Sequence, residues 1–200
     1  MKKFNHYYSE KPDTKLDKQE IQVNLLGIDF KFNTAASTFS KTRIDAGTYV
    51  LISRAEITEN SQILDLGCGY GAVGIAIAKK HSDCTVLMTD INERAVKLSQ
   101  DNIKLNQIDN AKVRKSNIYD SIPEQFDNIL LNPPQTAGKK ICFQMIEEAK
   151  DHLNPEGKLQ LVARHKKGGK ELGKKMNETF GNLREIAKKS GYRIYISQKE

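Results

Sequence analysis

The 200-residue sequence predicts an α/β fold: a mostly parallel sheet covered by helices, closed by an antiparallel C-terminal hairpin and preceded by a small β extension. Three observations carry this. From Gln62 onward, apolar runs of strand length alternate with segments of helical period, the pattern of successive crossover connections. The chain closes with two strand-like runs separated by Ser190-Gly191. Ahead of residue 46 the apolar residues recur with period two.

Taken in order, the segment 20–34, EIQVNLLGIDFKFNT, alternates Ile21, Val23 and Leu25, turns near Gly27, and alternates again through Ile28, Phe30 and Phe32. This is a hairpin pattern. Residues 46–55, AGTYVLISRA, read as a short helix. The main sheet opens with a strand over 62–66, QILDL, then a glycine-rich turn and a helix over 71–81. A strand over 84–90, CTVLMTD, leads to a helix over 92–106, capped by Asn92. Strands follow at 111–116 and 127–131. A helix over 139–153 is expected to close at Asn154-Pro155, ahead of a strand over 158–164 and a helix over 168–181. The runs 183–189 and 192–197 pair as the final hairpin. Right-handed crossovers make such a sheet mostly parallel. Residues 1–45 are read as an N-terminal hairpin extension packed on a main domain of 46–200.

Composition points to a water-soluble globular chain: 38% hydrophobic and 28% charged, long enough for a real core. The longest apolar run, 72–78, is too short to span a bilayer. The start, MKKFNHYYSEKPDTK, lacks the apolar stretch of a secretory signal. Cys68, Cys84 and Cys142 suggest neither a disulfide framework nor a CxxC knuckle, which suits the reducing cytoplasm. His6, His81, His152 and His165 show no ligand spacing, so no metal is expected. His6, with Tyr7 and Tyr8, either anchors the tail or lines a substrate entrance.

The net charge of +7 is uneven. Residues 1–154 carry 20 Lys/Arg and 20 Asp/Glu, whereas residues 155–200 carry 12 and 5. The densest part is 164–175, RHKKGGKELGKK. A solvated helix face and a phosphate-binding surface both fit.

Two motifs overlap in 63–74, ILDLGCGYGAVG. Gly69, Gly71 and Gly74 satisfy GxGxxG, the dinucleotide fingerprint, while Asp65, Gly67, Gly69 and Gly71 read as DxGxGxG. Asp65 discriminates. A carboxylate two residues before the first glycine repels a pyrophosphate and attracts an ammonium, which S-adenosylmethionine carries. Hydrogen bonding of Asp65 to the loop's own backbone is the plainer alternative. Asp90 stands 25 residues further on, at the end of the next strand, where a carboxylate accepts from ribose hydroxyls or simply precedes a helix cap. Ile91 offers an apolar face to a flat base. Asn117 ends the third strand as an acceptor for an exocyclic amine or as an ordinary turn residue.

The stretch 126–138, FDNILLNPPQTAG, ends an apolar strand in Asn-Pro-Pro. The two prolines hold Asn132 extended at the strand's C-terminal edge, where open α/β sheets place ligands.

With these motifs, and with HYYSEKP at 6–12, TFSKTRIDAGT at 38–48, TDINERAVKLSQDN at 89–102, AGKK at 137–140 and GYRIYISQK at 191–199, nearly the whole chain resembles the class I S-adenosylmethionine-dependent methyltransferases of the small-domain (MTS) group. Within it, the sequence is most similar to the catalytic half of the 16S ribosomal RNA guanine-N2 methyltransferases (RsmC) and their single-domain relatives. The resemblance implies a Rossmann-like, seven-stranded sheet with an antiparallel C-terminal hairpin. It implies that Asp65, Gly67, Cys68, Gly69 and Gly71 cradle the methionine part of the cofactor, that Asp90 holds the ribose, and that Ile91 and Asn117 flank the adenine. Asp45, Gly47 and Thr48 fall in a segment that folds over the cofactor. Asn132, Pro133 and Pro134 face the amine to be methylated, with the Asn132 side-chain oxygen and the Pro133 carbonyl as acceptors. On that basis Asn132→Asp, which keeps acceptor oxygens, is expected to retain more activity than Asn132→Ala.

RNA, ribosomal RNA or the small subunit, is the implied partner, and Arg164, Lys166, Lys167 and Lys170 are the residues expected to meet its phosphates. The sequence departs from the family in having Asn117 where aspartate is usual, Gln135 where an aromatic often follows NPP, and no second N-terminal half. Glutamine-N5 methylation of protein, and a catalytically silent SAM- or RNA-binding protein, are the alternatives.

Overall fold

The computed structural model describes residues 18–35, 44–133 and 138–200. The expectations placed on His6, Tyr7, Tyr8, Pro134 and Gln135 lie outside these. The hairpin forms from β1 (Lys18–Leu25) and β2 (Ile28–Ala35). Leu26 and Gly27 both take positive φ, +56° and +81°, the twist-matched two-residue turn that glycine favours. The chain continues through α1 (Ala46–Arg54), β3 (Gln62–Leu66), α2 (Ala72–Lys80), β4 (Thr85–Asp90), α3 (Glu93–Leu105), β5 (Ala111–Lys115), β6 (Phe126–Leu131), α4 (Lys139–Ala149) and β7 (Leu153–Arg164). A basic turn over His165–Gly169 leads to α5 (Lys170–Phe180), and β8 (Arg184–Lys189) and β9 (Tyr192–Gln198) close the chain.

The main sheet has seven strands in the order β5-β4-β3-β6-β7-β9-β8. Pairing is parallel from β5 through β7 and antiparallel for β7/β9 and β9/β8. Period-two alternation sends successive side chains to opposite faces. Ile63 and Leu130 join the core beneath α1, α2 and the hairpin, while Leu64, Leu66, Ile129 and Leu131 join the core beneath α4 and α5. The result is three layers. Strand order reverses between β3 and β6, so their C-terminal ends flank the crevice where such sheets bind ligands.

Two glycines let α2 sit against that crevice. Gly71, at φ +90°, is its N-cap residue in the left-handed region. At Gly74 a Cβ would lie 2.3 Å from Met88 Sδ, so only a bare backbone fits so close to β4.

The hairpin is tied to the main domain by two asparagines one turn apart, Asn102 within α3 and Asn106 at its C-cap. Asn102 Oδ1 accepts from Asn33 N at 2.7 Å and its Nδ2 donates to Asn33 O at 3.0 Å; Asn106 makes the same pair of bonds to Lys31. Asn102 Nδ2 also donates to Tyr70 O, inside the glycine loop, at 2.8 Å.

Two helices differ from expectation. The third long helix stops at Ala149, and Asn154-Pro155, expected to terminate it, lies inside β7. Leu153 pairs with Phe126 and is fully buried. Burying a leucine contributes about 1.5–3 kcal/mol, more than the few tenths by which helix propensity separates ordinary residues. The last helix likewise begins at Lys170 rather than 168, because Gly168 stands at φ +91°.

Candidate functional site

Two adjoining hollows open at the C-terminal ends of β3, β4 and β6, and both are lined by Gly67. The first is also lined by Thr48, Asp65, Cys68, Gly69, Tyr70, Asn132 and Pro133. The second lies between the glycine loop and α4 and is the more apolar, with Asp90, Ile91, Asn117, Ile118, Ile141 and Met145 in its walls.

Asp65 ends the first hollow. Only 3% exposed, it accepts the Gly74 N–H at 2.8 Å through Oδ2, so the loop-backbone bond foreseen as the plain alternative does form. Its Oδ1 has no donor among the described residues. Burial, reinforced by the charge of Asp90 and opposed by the Gly74 N–H, pushes the Asp65 carboxyl up to about 7. Asp90, 5% exposed, accepts from Gly69 N and Asn92 N, both at 2.9 Å, and burial raises it to about 6. No cation among the described residues contributes to either. Two buried carboxyls without a counter-cation suit a cationic ligand and would repel a pyrophosphate. Burial raises the Cys68 thiol well above its usual range, so it stays protonated and is no nucleophile.

In the second hollow Asn117 donates from Nδ2 to Asp120 Oδ2 at 3.0 Å, which turns its oxygen away as an acceptor. Thr89 Oγ1, buried in the wall, has no partner among the described residues.

Asn132 follows β6 directly and lines the first hollow. Its Nδ2 donates to Thr48 Oγ1 at 3.0 Å and to Asp45 Oδ2 at 3.4 Å. Asp45 lines neither hollow; it is the N-cap of α1, behind Thr48 and Asn132. Gly71 is likewise absent from both linings and acts through the backbone of α2. Arg164 at the end of β7, Lys166 and Lys167 on the turn and Lys170 at the start of α5 are exposed, apart from both hollows but on the same edge of the sheet. The Arg164 guanidinium stacks 5.0 Å over the Tyr192 ring.

Sequence reasoning missed Tyr70 and the α4 wall, Ile141 and Met145. Their i, i+4 spacing marks an apolar helix face without saying what it faces. It also missed a group formed by His81, Asp83 and Cys84, whose ligand atoms lie within 4.8 Å of one another between α2 and β4. That group is at the far end of the sheet. Asp83 accepts from Asn60 N at 2.7 Å, and Cys84 Sγ is 3.4 Å from Thr58 O.

Sheet order, terminal hairpin and the loop-and-acid arrangement define a class I S-adenosylmethionine-dependent methyltransferase. Residues 29–196 match the model of the methyltransferase small domain, and the chain belongs to that family. It is 39% identical over 197 residues to YbxB of Bacillus subtilis, a protein described as uncharacterized, covering 97% of this chain and 98% of that one. It is 33% identical over 171 residues to ribosomal RNA small subunit methyltransferase C of Hamiltonella defensa, covering 84% of this chain and 50% of the relative. The chain thus spans about half the length of the methyltransferase C relatives it matches. In fold it is similar to the T. thermophilus 16S rRNA N2 G1207 methyltransferase (RsmC), solved with AdoMet and guanosine: TM-score 0.82, 23% identity, covering 95% of this chain and 52% of that one.

Proposed function

We propose that the protein methylates an exocyclic amine of RNA, guanine N2 of small-subunit ribosomal RNA, and works in the cytoplasm. The observation that carries this reading is the Asn132 amide at the crevice, with Nδ2 engaged and no donor to Oδ1 among the described residues. The relatives named for ribosomal RNA small subunit methylation, the neighbour solved with guanosine, and the exposed basic turn support the choice of acceptor. No described helix is long and apolar enough to cross a membrane.

Asp65, Gly67, Cys68 and Gly69 would hold the methionine end of the cofactor, Asp90 the ribose, and Ile91 and Asn117 the adenine, with Asp45 and Thr48 at the margin nearest Asn132. Bound there, S-adenosylmethionine supplies a methyl group already activated on a sulfonium. Asn132 Oδ1 and the Pro133 carbonyl accept the two hydrogens of the target amine. This turns its lone pair out of conjugation and toward the methyl group. The contribution is orientation and fixed dipoles rather than proton abstraction, because the methylated amine becomes acidic and loses its proton to water. Arg164, Lys166, Lys167 and Lys170 meet RNA phosphates, a sequence-independent attraction that brings the substrate to the crevice.

The test offers labelled S-adenosylmethionine with small ribosomal subunits, free ribosomal RNA and total cell protein. Label in small-subunit RNA, recovered as N2-methylguanosine after digestion, is the expected result. Label in protein glutamine would replace this acceptor with the other, and label in no fraction would overturn the enzymatic reading.

A further inference from the structure

Asn132 takes its orientation from residues 84 and 87 positions earlier in the chain. Asp45 caps α1, accepting Gly47 N–H at 2.7 Å and Thr48 N–H at 3.3 Å, and it also accepts the Thr48 hydroxyl hydrogen. A threonine hydroxyl has one hydrogen, so Thr48 Oγ1 faces Asn132 purely as an acceptor. An ionised Asp45 Oδ2 is an acceptor only. Both atoms that meet the end of the Asn132 side chain, at 3.0 and 3.4 Å, therefore demand a donor. The amide nitrogen fills that demand, and its oxygen is left on the side away from α1.

The first turn of α1 is itself held in place. A Cβ on Gly47 would lie 2.7 Å from Tyr192 Cε1, so the buried Tyr192 ring backs directly onto the turn. Thr48 is 7% exposed, which shields its bonds from competing water.

We propose that Asp45 and Thr48 are positioning residues for methyl transfer: they fix the Asn132 amide with its oxygen toward the substrate amine and exclude aspartate from position 132. The inference rests on the amine-methylation reading above and adds its orienting pair. Aspartate at 132 would set a carboxylate oxygen against two acceptors. One of the groups would then have to take up a proton or turn away, so Asn132→Asp loses the advantage over alanine that its acceptor oxygens alone would give it. Replacing Asp45 by asparagine restores the match, since asparagine supplies the missing donor and remains a good helix cap.

The experiment compares Asn132→Asp, Asp45→Asn, the double variant, Thr48→Val and Thr48→Ser. Single-turnover transfer to small-subunit RNA, cofactor affinity and melting temperature are measured for each, and exchange of the Asn132 side-chain amide hydrogens for the variants that keep Asn132. Asn132→Asp should lose about 10²-fold or more in rate, the scale for one positioned polar group, and should melt earlier. Adding Asp45→Asn should recover about 10-fold or more of that rate and raise the melting temperature, as coupled neighbours do. Thr48→Val should lower the transfer rate more than cofactor affinity and speed exchange of the amide hydrogens, while Thr48→Ser recovers most of both. Additive effects at 45 and 132, in rate and in melting temperature alike, would overturn the proposal, as would an Asn132→Asp protein as active and stable as wild type. Should the wild-type protein methylate none of the RNAs offered, the acceptor reading fails by itself. Melting temperatures and amide exchange then still decide whether the pair positions Asn132.

Discussion

Asp65 accepts the Gly74 N–H at 2.8 Å through Oδ2, and no described residue donates to its Oδ1. The carboxyl is buried and raised to about 7, with Asp90 beside it raised to about 6. A carboxyl raised on folding keeps a proton that the unfolded chain has already released. Its contribution to stability is therefore fully present below the unfolded value of about 3.9 and is lost as pH rises through the folded value. The cofactor-free protein should accordingly melt at lower temperature at pH 7.5 than at pH 5. Asp65→Asn should flatten that dependence. Melting curves that are equal across this range for wild type would remove Asp65 as a buried proton reservoir.

A cationic ligand should reverse the trend. Its binding favours the ionised carboxylates, so affinity for S-adenosylmethionine should rise from pH 5.5 to 8 with release of protons. Calorimetry near pH 6.5, in buffers of different ionisation enthalpy, reads this directly. Affinity independent of pH and no proton release would argue against the ammonium meeting Asp65.

Asp90 carries a structural load, since each oxygen already accepts a backbone N–H, and in the proposed reading it also meets the ribose. Asp90→Ala should weaken cofactor binding by about 1.5–3 kcal/mol, the scale of a hydrogen bond to a charged group. It should also lower the melting temperature through the orphaned Gly69 and Asn92 amides. Affinity equal to wild type by calorimetry would reassign Asp90 to the loop alone.

Asn132→Ala should separate binding from chemistry. Single-turnover transfer should fall by about 10²–10³-fold, while cofactor affinity moves far less. Transfer to guanosine in RNA at near wild-type rate would reduce the Asn-Pro-Pro corner to architecture.

Asn102 joins the N-terminal hairpin to the glycine loop, bonding Asn33 on one side and Tyr70 on the other. It is fully buried, so Asn102→Ala leaves backbone groups unsatisfied, each costing about 1–3 kcal/mol. Both stability and cofactor affinity should drop. A loss of stability with unchanged affinity in the folded fraction would show that the hairpin does not support the loop.

Replacing Lys166, Lys167 and Lys170 with alanine should weaken RNA binding and flatten its dependence on salt, because fewer counterions are released. All three are exposed, so folding and cofactor affinity should hold. An unchanged salt slope would return the turn to a solvated surface.

What the sequence alone determined was local. Strand and helix alternation, the left-handed glycine positions of the loop, and Asp65, Asp90 and Asn132 at strand ends all follow from periodicities and residue types that act over a few positions. The helix end at Ala149 did not, because the pull on Leu153 comes from Phe126 across the sheet rather than from neighbours in the chain. Nor did the role of Asp45. Its capping of α1 is a local bond, but its hold on Asn132 spans 87 residues and exists only because the sheet brings the end of β6 beside the start of α1. Tertiary structure decided which acceptors the amide meets, and so which of its two ends is left on the side away from α1.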